Sequence, residues 1–209
     1  MSNSSLQQNH VLEWCAAARA LPGQELSGDL HLVTPYDNGM LAAAVDGLGH
    51  GSEATAAAQA AIDVLRAHAA ESIITLVKRC NEALRTTRGA VMTIVKFNMK
   101  EETATAVGIG NVETVLLRAN PAANPPRENI LLRSGLVGYQ VPELRASVFS
   151  IHKGDLMVFA TDGIQDDFYD DLSAAEPVQQ LAERILEQKF RGTDDALVLA
   201  VRYLGKPDA

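Results

Sequence analysis

Apolar and polar positions along the chain fall into short blocks with two different periods. "DLHLVTPY" (29–36) alternates loosely and predicts a strand. Asn38-Gly39 follows as a hairpin signal. "MLAAAV" (40–45) contains no polar residue, so it predicts a second strand buried on both faces. Antiparallel pairing of the two brings Asp29, near the start of the first, to the same edge as Asp46, at the end of the second. The period then lengthens. "EATAAAQAAIDVLRAHA" (53–69) is alanine-rich and predicts a helix that opens at Ser52 and Glu53. "SIITLVKRCNEALRTT" (72–87) predicts another, with Ile73, Leu76, Val77, Cys80 and Leu84 on one face.

"GAVMTIVKFN", "ETATAVGIG" and "VETVLLRA" predict three consecutive strands, turned at "NMKE" and at Asn111. "NPAANPPRE" (120–128) is a Pro/Asn-rich loop. "NILLR", "LRASVFSIH" and "DLMVFAT" predict further strands, the last two joined by the turn "HKGD". "PVQQLAERILEQKF" (177–190) predicts a helix with Val178, Leu181, Ile185 and Leu186 aligned, and "DALVLAVRYL" a closing strand. Ahead of all this, "VLEWCAAARAL" leads into the turn-rich "PGQELSGD", and residues 1–10 are polar and expected to fray. Strands and helices that come in runs, without strict alternation, point to an α+β fold with antiparallel sheets. Neither a G-x-G-x-x-G fingerprint after the first strand nor a P-loop is present, which argues against dinucleotide and P-loop chemistry.

Composition narrows the function classes. The 209 residues suffice for one sizeable domain, and with 5% aromatics its core must rest on Ala, Val, Leu and Ile. A net charge of −8 argues against a broad basic face for nucleic acid and against adsorption to an anionic membrane. It leaves anionic substrates open, because a bound cation reverses the local field. Cys15 and Cys80 form no C-x-x-C pair and are expected to be reduced thiols. With no signal-peptide pattern and no apolar run near the ~20 residues of a membrane span, a soluble cytoplasmic protein is expected.

The acids are placed unusually. Asp29 lies in "SGDLHLV", Asp46 in "AVDGLGHG", Asp162 in "VFATDGI", and Asp194 and Asp195 in "GTDDALVLAV". Each ends an apolar stretch. One such carboxylate reads as a turn or cap residue. Four such sites, two of them "DG" steps after apolar strands, point to convergence. Carboxylates gathered at low dielectric repel one another, and a divalent cation removes that cost. A donor set of carboxylate oxygens and water suits Mg²⁺ or Mn²⁺ better than zinc. Two such ions about 3.5–4 Å apart, sharing a carboxylate, activate water for attack on phosphorus.

The pieces "SGD", "DGLGHG", "HKGDLMVFATDGI" and "TDDALVLAVR", in this order between Gly28 and Arg202, resemble the metal-dependent protein phosphatases (PPM, protein phosphatase 2C-like). Within them the chain is similar to the bacterial sporulation and stress-response branch. The resemblance implies a four-layer α-β-β-α sandwich, two antiparallel sheets flanked by helices. It also implies hydrolysis of phosphoserine or phosphothreonine on a protein, using two divalent cations, Mn²⁺ or Mg²⁺. Carried over by position, Asp46 would bridge both metals, with the Gly47 carbonyl on one of them. Asp29 would serve the second metal, largely through its waters, and Asp162 and Asp194 would hold the first. Catalysis would run through Asp46, Asp162 and Asp194, by direct attack of a metal-bridging water.

Some positions depart from the pattern. In the eukaryotic members a histidine follows "DG" directly; here His50 comes after Leu48 and Gly49 and reads as a turn or structural residue. Leu197 stands where the branch often has Thr, and Arg19 is a poor counterpart for the family's phosphate-gripping arginine. Asp195 reads as a supporting or turn residue. Asp166, Asp167, Asp170 and Asp171 read as a solvated acidic loop or helix start, a metal role for one of them being the lesser alternative. The branch implies phosphorylated STAS-domain stressosome proteins as partners and a role in resetting a stress response. About 25 residues precede the first motif, which predicts a single catalytic domain over 1–209 without a sensor domain. The alternatives are a phosphatase for another phosphoprotein, such as an anti-sigma-factor antagonist, and a non-catalytic scaffold-binding module.

Overall fold

In the computed structural model, which describes residues 3–206, the chain begins with a strand. β1 (Asn3–Gln8) pairs antiparallel with β2 (Leu12–Arg19), where fraying was expected; Met1 and Ser2 lie outside the described residues. Asn9 closes the turn, its Oδ1 accepting the N–H groups of Val11 and Leu12 at 2.8 Å. Local polarity misleads here because β1 is a sheet edge, where polar side chains are tolerated. β3 (Asp29–Tyr36) and β4 (Gly39–Gly47) form the expected hairpin. Its loop is Asp37 and Asn38, and Gly39 pairs with Tyr36. The glycine is needed for space, since a Cβ there would stand 1.8 Å from Phe97 O.

α1 (Ser52–Ala67) and α2 (Ile73–Ala83) follow. Ser72 caps α2 by accepting the Thr75 N–H at 3.2 Å. β5 (Ala90–Asn98), β6 (Thr103–Ile109) and β7 (Glu113–Leu117) match the three expected strands. "NILLR" is not one strand. β8 (Arg127–Asn129) pairs with β7 in one sheet, and β9 (Leu132–Arg133) pairs parallel with β6 in the other. The chain changes sheets at Ile130, which is buried. β10 (Ser147–Ser150), β11 (Leu156–Ala160), α3 (Val178–Lys189) and β12 (Ala196–Tyr203) complete the fold.

The strand orders are β1-β2-β12-β11-β7-β8 and β10-β6-β5-β4-β3, with β9 beside β6. Period-2 alternation sorts the side chains into layers. Met40, Ala42 and Ala44 of β4 face the space between the sheets and meet Phe159, Leu199 and Val201 there. Leu41, Ala43 and Val45 face the other way, onto Ala58, Leu65, Leu76 and Val77 of α1 and α2. In the second sheet, Val158, Ala160 and Val198 pack on Leu181 and Ile185 of α3. The layering is α-β-β-α, as expected, with one parallel pair in otherwise antiparallel sheets.

The "HKGD" turn holds its acid for structural reasons. Asp155, 3% exposed, accepts the N–H groups of Ala119 (2.9 Å) and His152 (3.0 Å) and a guanidinium N–H of Arg118 (2.9 Å). Asp155→Ala would leave two main-chain donors unpaired and take one of its partners from a mostly buried guanidinium, which keeps Glu128 and Ser150 O. It is expected to cost about 3 kcal/mol in urea unfolding. Activity per folded molecule should not change.

Candidate active site

The alternation that builds the core also aims the acids. Residues 40, 42 and 44 of β4 point between the sheets, so Asp46 does too, and Asp29 is its register partner on β3. Across the seam, Met157 and Phe159 of β11 set the parity of Thr161, and Leu197 and Leu199 of β12 set that of Asp195. Asp162 follows β11 and Asp194 precedes β12. Asp46, Asp162 and Asp194 therefore come from both sheets to line one cleft of about 140 Å³, together with Asn111, Leu48 and Leu136.

Asp29 and Asp195 lie behind the cleft, 4% and 2% exposed. Asp29 Oδ2 accepts the Thr161 hydroxyl at 2.6 Å, while Thr161 Oγ1 accepts the Leu197 N–H at 2.8 Å. Asp195 accepts two main-chain donors, Leu21 N–H (2.8 Å) and Gly28 N–H (2.6 Å). It thus clamps the loop leading into β3. Asp194 Oδ1 accepts the Asp195 N–H at 2.8 Å, and Asp162 Oδ2 accepts the Asn111 side-chain amide at 2.8 Å. Asp46 has no hydrogen-bond donor among the described residues. His50 is exposed and does not line the cleft. Asp166 and Asp167 are ion-paired, with Arg191 and with Lys189.

The electrostatics follow from burial and crowding. Burial, reinforced by Asp29, Asp162 and Asp194, pushes the Asp46 carboxyl up to about 9. Burial also pushes Asp29 up to about 8, with Asp195, Asp162 and Asp194 adding to the effect and the Thr161 hydrogen bond opposing it. Asp162 is raised by burial and by Asp194, with Asn111 and Arg191 opposing. Without a counter-charge Asp46 and Asp29 resist ionisation at neutral pH, and Asp162 is pushed in the same direction.

The donor set fits hard divalent cations. It contains carboxylate oxygens and neither thiolate nor imidazole. Among the described residues, no three His, Cys, Asp or Glu are grouped to hold one ion by themselves. Gly47 is held where a Cβ would stand 2.1 Å from Ala54 O, and Gly163 where a Cβ would stand 2.0 Å from Asp195 O. The two "DG" glycines are therefore required by close packing behind the acids.

Sequence reasoning missed Asn111, Thr161 and Arg191. Asn111 appears only as a turn residue, and Thr161 as the end of a strand. Arg191 sits in the segment before Asp194, its N–H bonded to Gly163 O at 2.8 Å and its Nε to Ile164 O at 3.0 Å. Its one signal is the cation three residues ahead of "DD".

The carboxyls' shifts give a sign for stability. Asp46 and Asp29 bind protons more tightly folded than unfolded, so the cation-free chain loses stability as pH rises from 3.8 through about 8 and 9. The urea midpoint without divalent cations should fall between pH 6 and pH 9.5, and Mn²⁺ should flatten the slope. Asp46→Asn should raise the cation-free melting temperature by roughly 2–4 °C, about 1 kcal/mol.

Comparison with known proteins identifies the family and the fold. The chain is 26% identical to the phosphoserine phosphatase RsbX of Bacillus subtilis (strain 168) over 174 residues, covering 83% of this chain and 85% of that protein. A crystal structure of RsbX in complex with magnesium superposes with a TM-score of 0.84 at 22% identity, covering 96% of this chain and 100% of that one. A chain described with the bacterial stressosome, a modular system adapted to control secondary messenger signalling, superposes at 0.82 with 29% identity, covering 91% and 99%. The catalytic domain of the serine/threonine phosphatase PstP in complex with two manganese ions shares the fold at 0.70 and 19% identity, covering 93% and 99%. The family of stage II sporulation protein E (SpoIIE) matches residues 36–204. The chain belongs to that family of PP2C-like domains.

Proposed function

We propose that the chain is a metal-dependent serine/threonine phosphatase whose substrates are phosphorylated STAS-domain proteins of a stressosome, and that it works in the cytoplasm to reset a stress response. One observation carries the chemistry: Asp46, Asp162 and Asp194 converge from two sheets on one cleft, and Asp46 is left without a hydrogen-bond donor. Asp46, the Gly47 carbonyl, Asp162 and Asp194 would hold two Mn²⁺ or Mg²⁺ ions, with Asp29 acting from behind. When bound, the ions would neutralise the carboxylates and acidify water for attack on phosphorus. Asn111 would keep Asp162 turned into the cleft, and Thr161 would fix Asp29. Arg191 would place a positive charge beside an otherwise acidic site. The substrate assignment is supported by the likeness to RsbX and to the stressosome chain.

A module that only binds has no use for these acids. Replacing Asp46 by Asn would relieve a strained carboxylate at no cost to docking. The electrostatic burden is reasonable only if the carboxylates are charged and neutralised during a reaction. An enzyme for another phosphoprotein, such as an anti-sigma-factor antagonist, would use the same cleft.

Turnover of p-nitrophenyl phosphate should require Mn²⁺ or Mg²⁺ and stop with a chelator. Asp46→Ala should lower kcat by about 10³-fold or more, the scale of losing a group that acts on the transition state. Circular dichroism should show that variant folded. Metal-independent turnover would overturn the mechanism. A phosphorylated STAS protein left intact by an enzyme that hydrolyses p-nitrophenyl phosphate would remove the stressosome assignment alone.

A further inference from the structure

The strand pair that delivers Asp46 runs on past it along the edge of the cleft. Asp46 pairs with Val91 and Gly47 with Ala90 at the end of the β4–β5 ladder, and Leu48 N–H then donates to Gly89 O at 3.0 Å. Val91, Leu48 and Gly49 line the cleft. The next residue along this edge is Arg88. Its side chain turns back over Gly49: a Cβ there would stand 2.9 Å from Arg88 Nη1, and Gly49 has φ +87°. The guanidinium thus lies against main chain that walls the site.

The backbone of Arg88 is fixed and its tip is exchangeable. Thr87 donates its N–H and its hydroxyl to Leu84 O, at 2.9 and 2.8 Å, and Gly89 N–H donates to Thr87 Oγ1 at 3.0 Å. Among the described residues, the charged partner of the guanidinium is Glu53, in the first turn of α1. Both ends of that pair are exposed, 49% and 66%. An ion pair open to water at both ends contributes little, so another anion can take the place of the glutamate. Arg191, on the wall that carries Asp162, is held differently. Its Nε is bonded to Ile164 O at 3.0 Å and it pairs with Asp166, so its bonds tie it into the wall.

We infer that Arg88 exchanges Glu53 for the phosphate of the substrate when the phosphoserine enters the cleft; this rests on the phosphatase reading above. The carboxylates assigned to the two cations, Asp29, Asp46, Asp162 and Asp194, cancel the cations' charge. A phosphomonoester is close to a dianion at neutral pH, so it meets a centre with no positive charge to spare. Arginine supplies that charge and presents two N–H groups in one plane, matched to a pair of phosphate oxygens. Glu53 is the resting partner that keeps the guanidinium beside Gly49, and each substrate displaces it.

Inorganic phosphate as a competitive inhibitor of p-nitrophenyl phosphate turnover, with Mn²⁺ saturating, tests this. Arg88→Ala should raise the inhibition constant of phosphate and the KM of p-nitrophenyl phosphate by about tenfold, the scale of one charge-assisted hydrogen bond. Arg88→Lys keeps the charge without the fork and should bring both to within about threefold of wild type. The Mn²⁺ concentration for half-maximal activity should not change. Glu53→Gln should lower the inhibition constant by about two- to fivefold, the scale of an exposed ion pair, and should have no effect once Arg88 is Ala. Phosphate inhibition unchanged in Arg88→Ala, or a Glu53→Gln effect that persists without Arg88, overturns the assignment. So does an Arg88→Ala defect confined to the Mn²⁺ requirement. Wild-type protein that fails to hydrolyse p-nitrophenyl phosphate with Mn²⁺ overturns the phosphatase reading itself.

Discussion

Carboxylates forced together at the seam between two sheets are the constraint on which this molecule turns. Asp29 and Asp46 are register partners on one sheet, and Asp162, Asp194 and Asp195 sit at strand ends of the other. Their mutual repulsion would push the sheets apart at this end. The fold opposes it with bonds that cross the seam. The Thr161 hydroxyl reaches Asp29, and Asp195 takes the N–H groups of Leu21 and Gly28. Beyond the seam the large apolar core between the sheets, built on Phe97, Phe159, Leu199 and Tyr203, sets their spacing. The site therefore inherits its geometry from the sandwich, and its charge is what the sandwich has to tolerate.

Hydrogen-bond accounting separates the acids by task. Asp155 and Asp195 are buried, and main-chain donors satisfy both. Asp166 and Asp167 are exposed and ion-paired. Each of these four has a donor or a counter-charge in the fold as it stands. Asp46 is different. It is largely removed from water and has four other acids acting on it, and no donor compensates. Asp162 has a single neutral donor, Asn111. Under the proposed two-metal site, Asp46 is therefore the acid with most to gain from a cation.

Much of this was legible in the sequence, and the failures have physical reasons. The buried strand "MLAAAV" and the helical faces Ile73–Leu84 and Val178–Leu186 could be read because a one-sided core imposes its period on the chain. Asp46 and Asp162 could be picked out because glycine beside an acid at a strand end is a local signal, and Asp194 because a pair of acids opens an apolar strand. The N-terminal hairpin could not: β2 lies beside β12, nearly the whole chain away, and that pairing leaves no local trace. The break in "NILLR" is likewise a matter of which sheet each half joins. Thr161 and Asn111 owe their roles to partners 132 and 51 residues distant. Asn38-Gly39 marked the right place for an incomplete reason, since the glycine answers to the Phe97 carbonyl of the next strand.

Two of the cleft carboxylates are held by segments that are joined to each other. The acidic wall is built by the segment after β11, which carries Asp162 and continues into Asp166 and Asp167. It is stitched to the segment before Asp194 by Gln165 N–H to Lys189 O and Arg191 N–H to Gly163 O. That stitching fixes two cleft carboxylates relative to each other, so this wall has little freedom to vary without disturbing the chemistry.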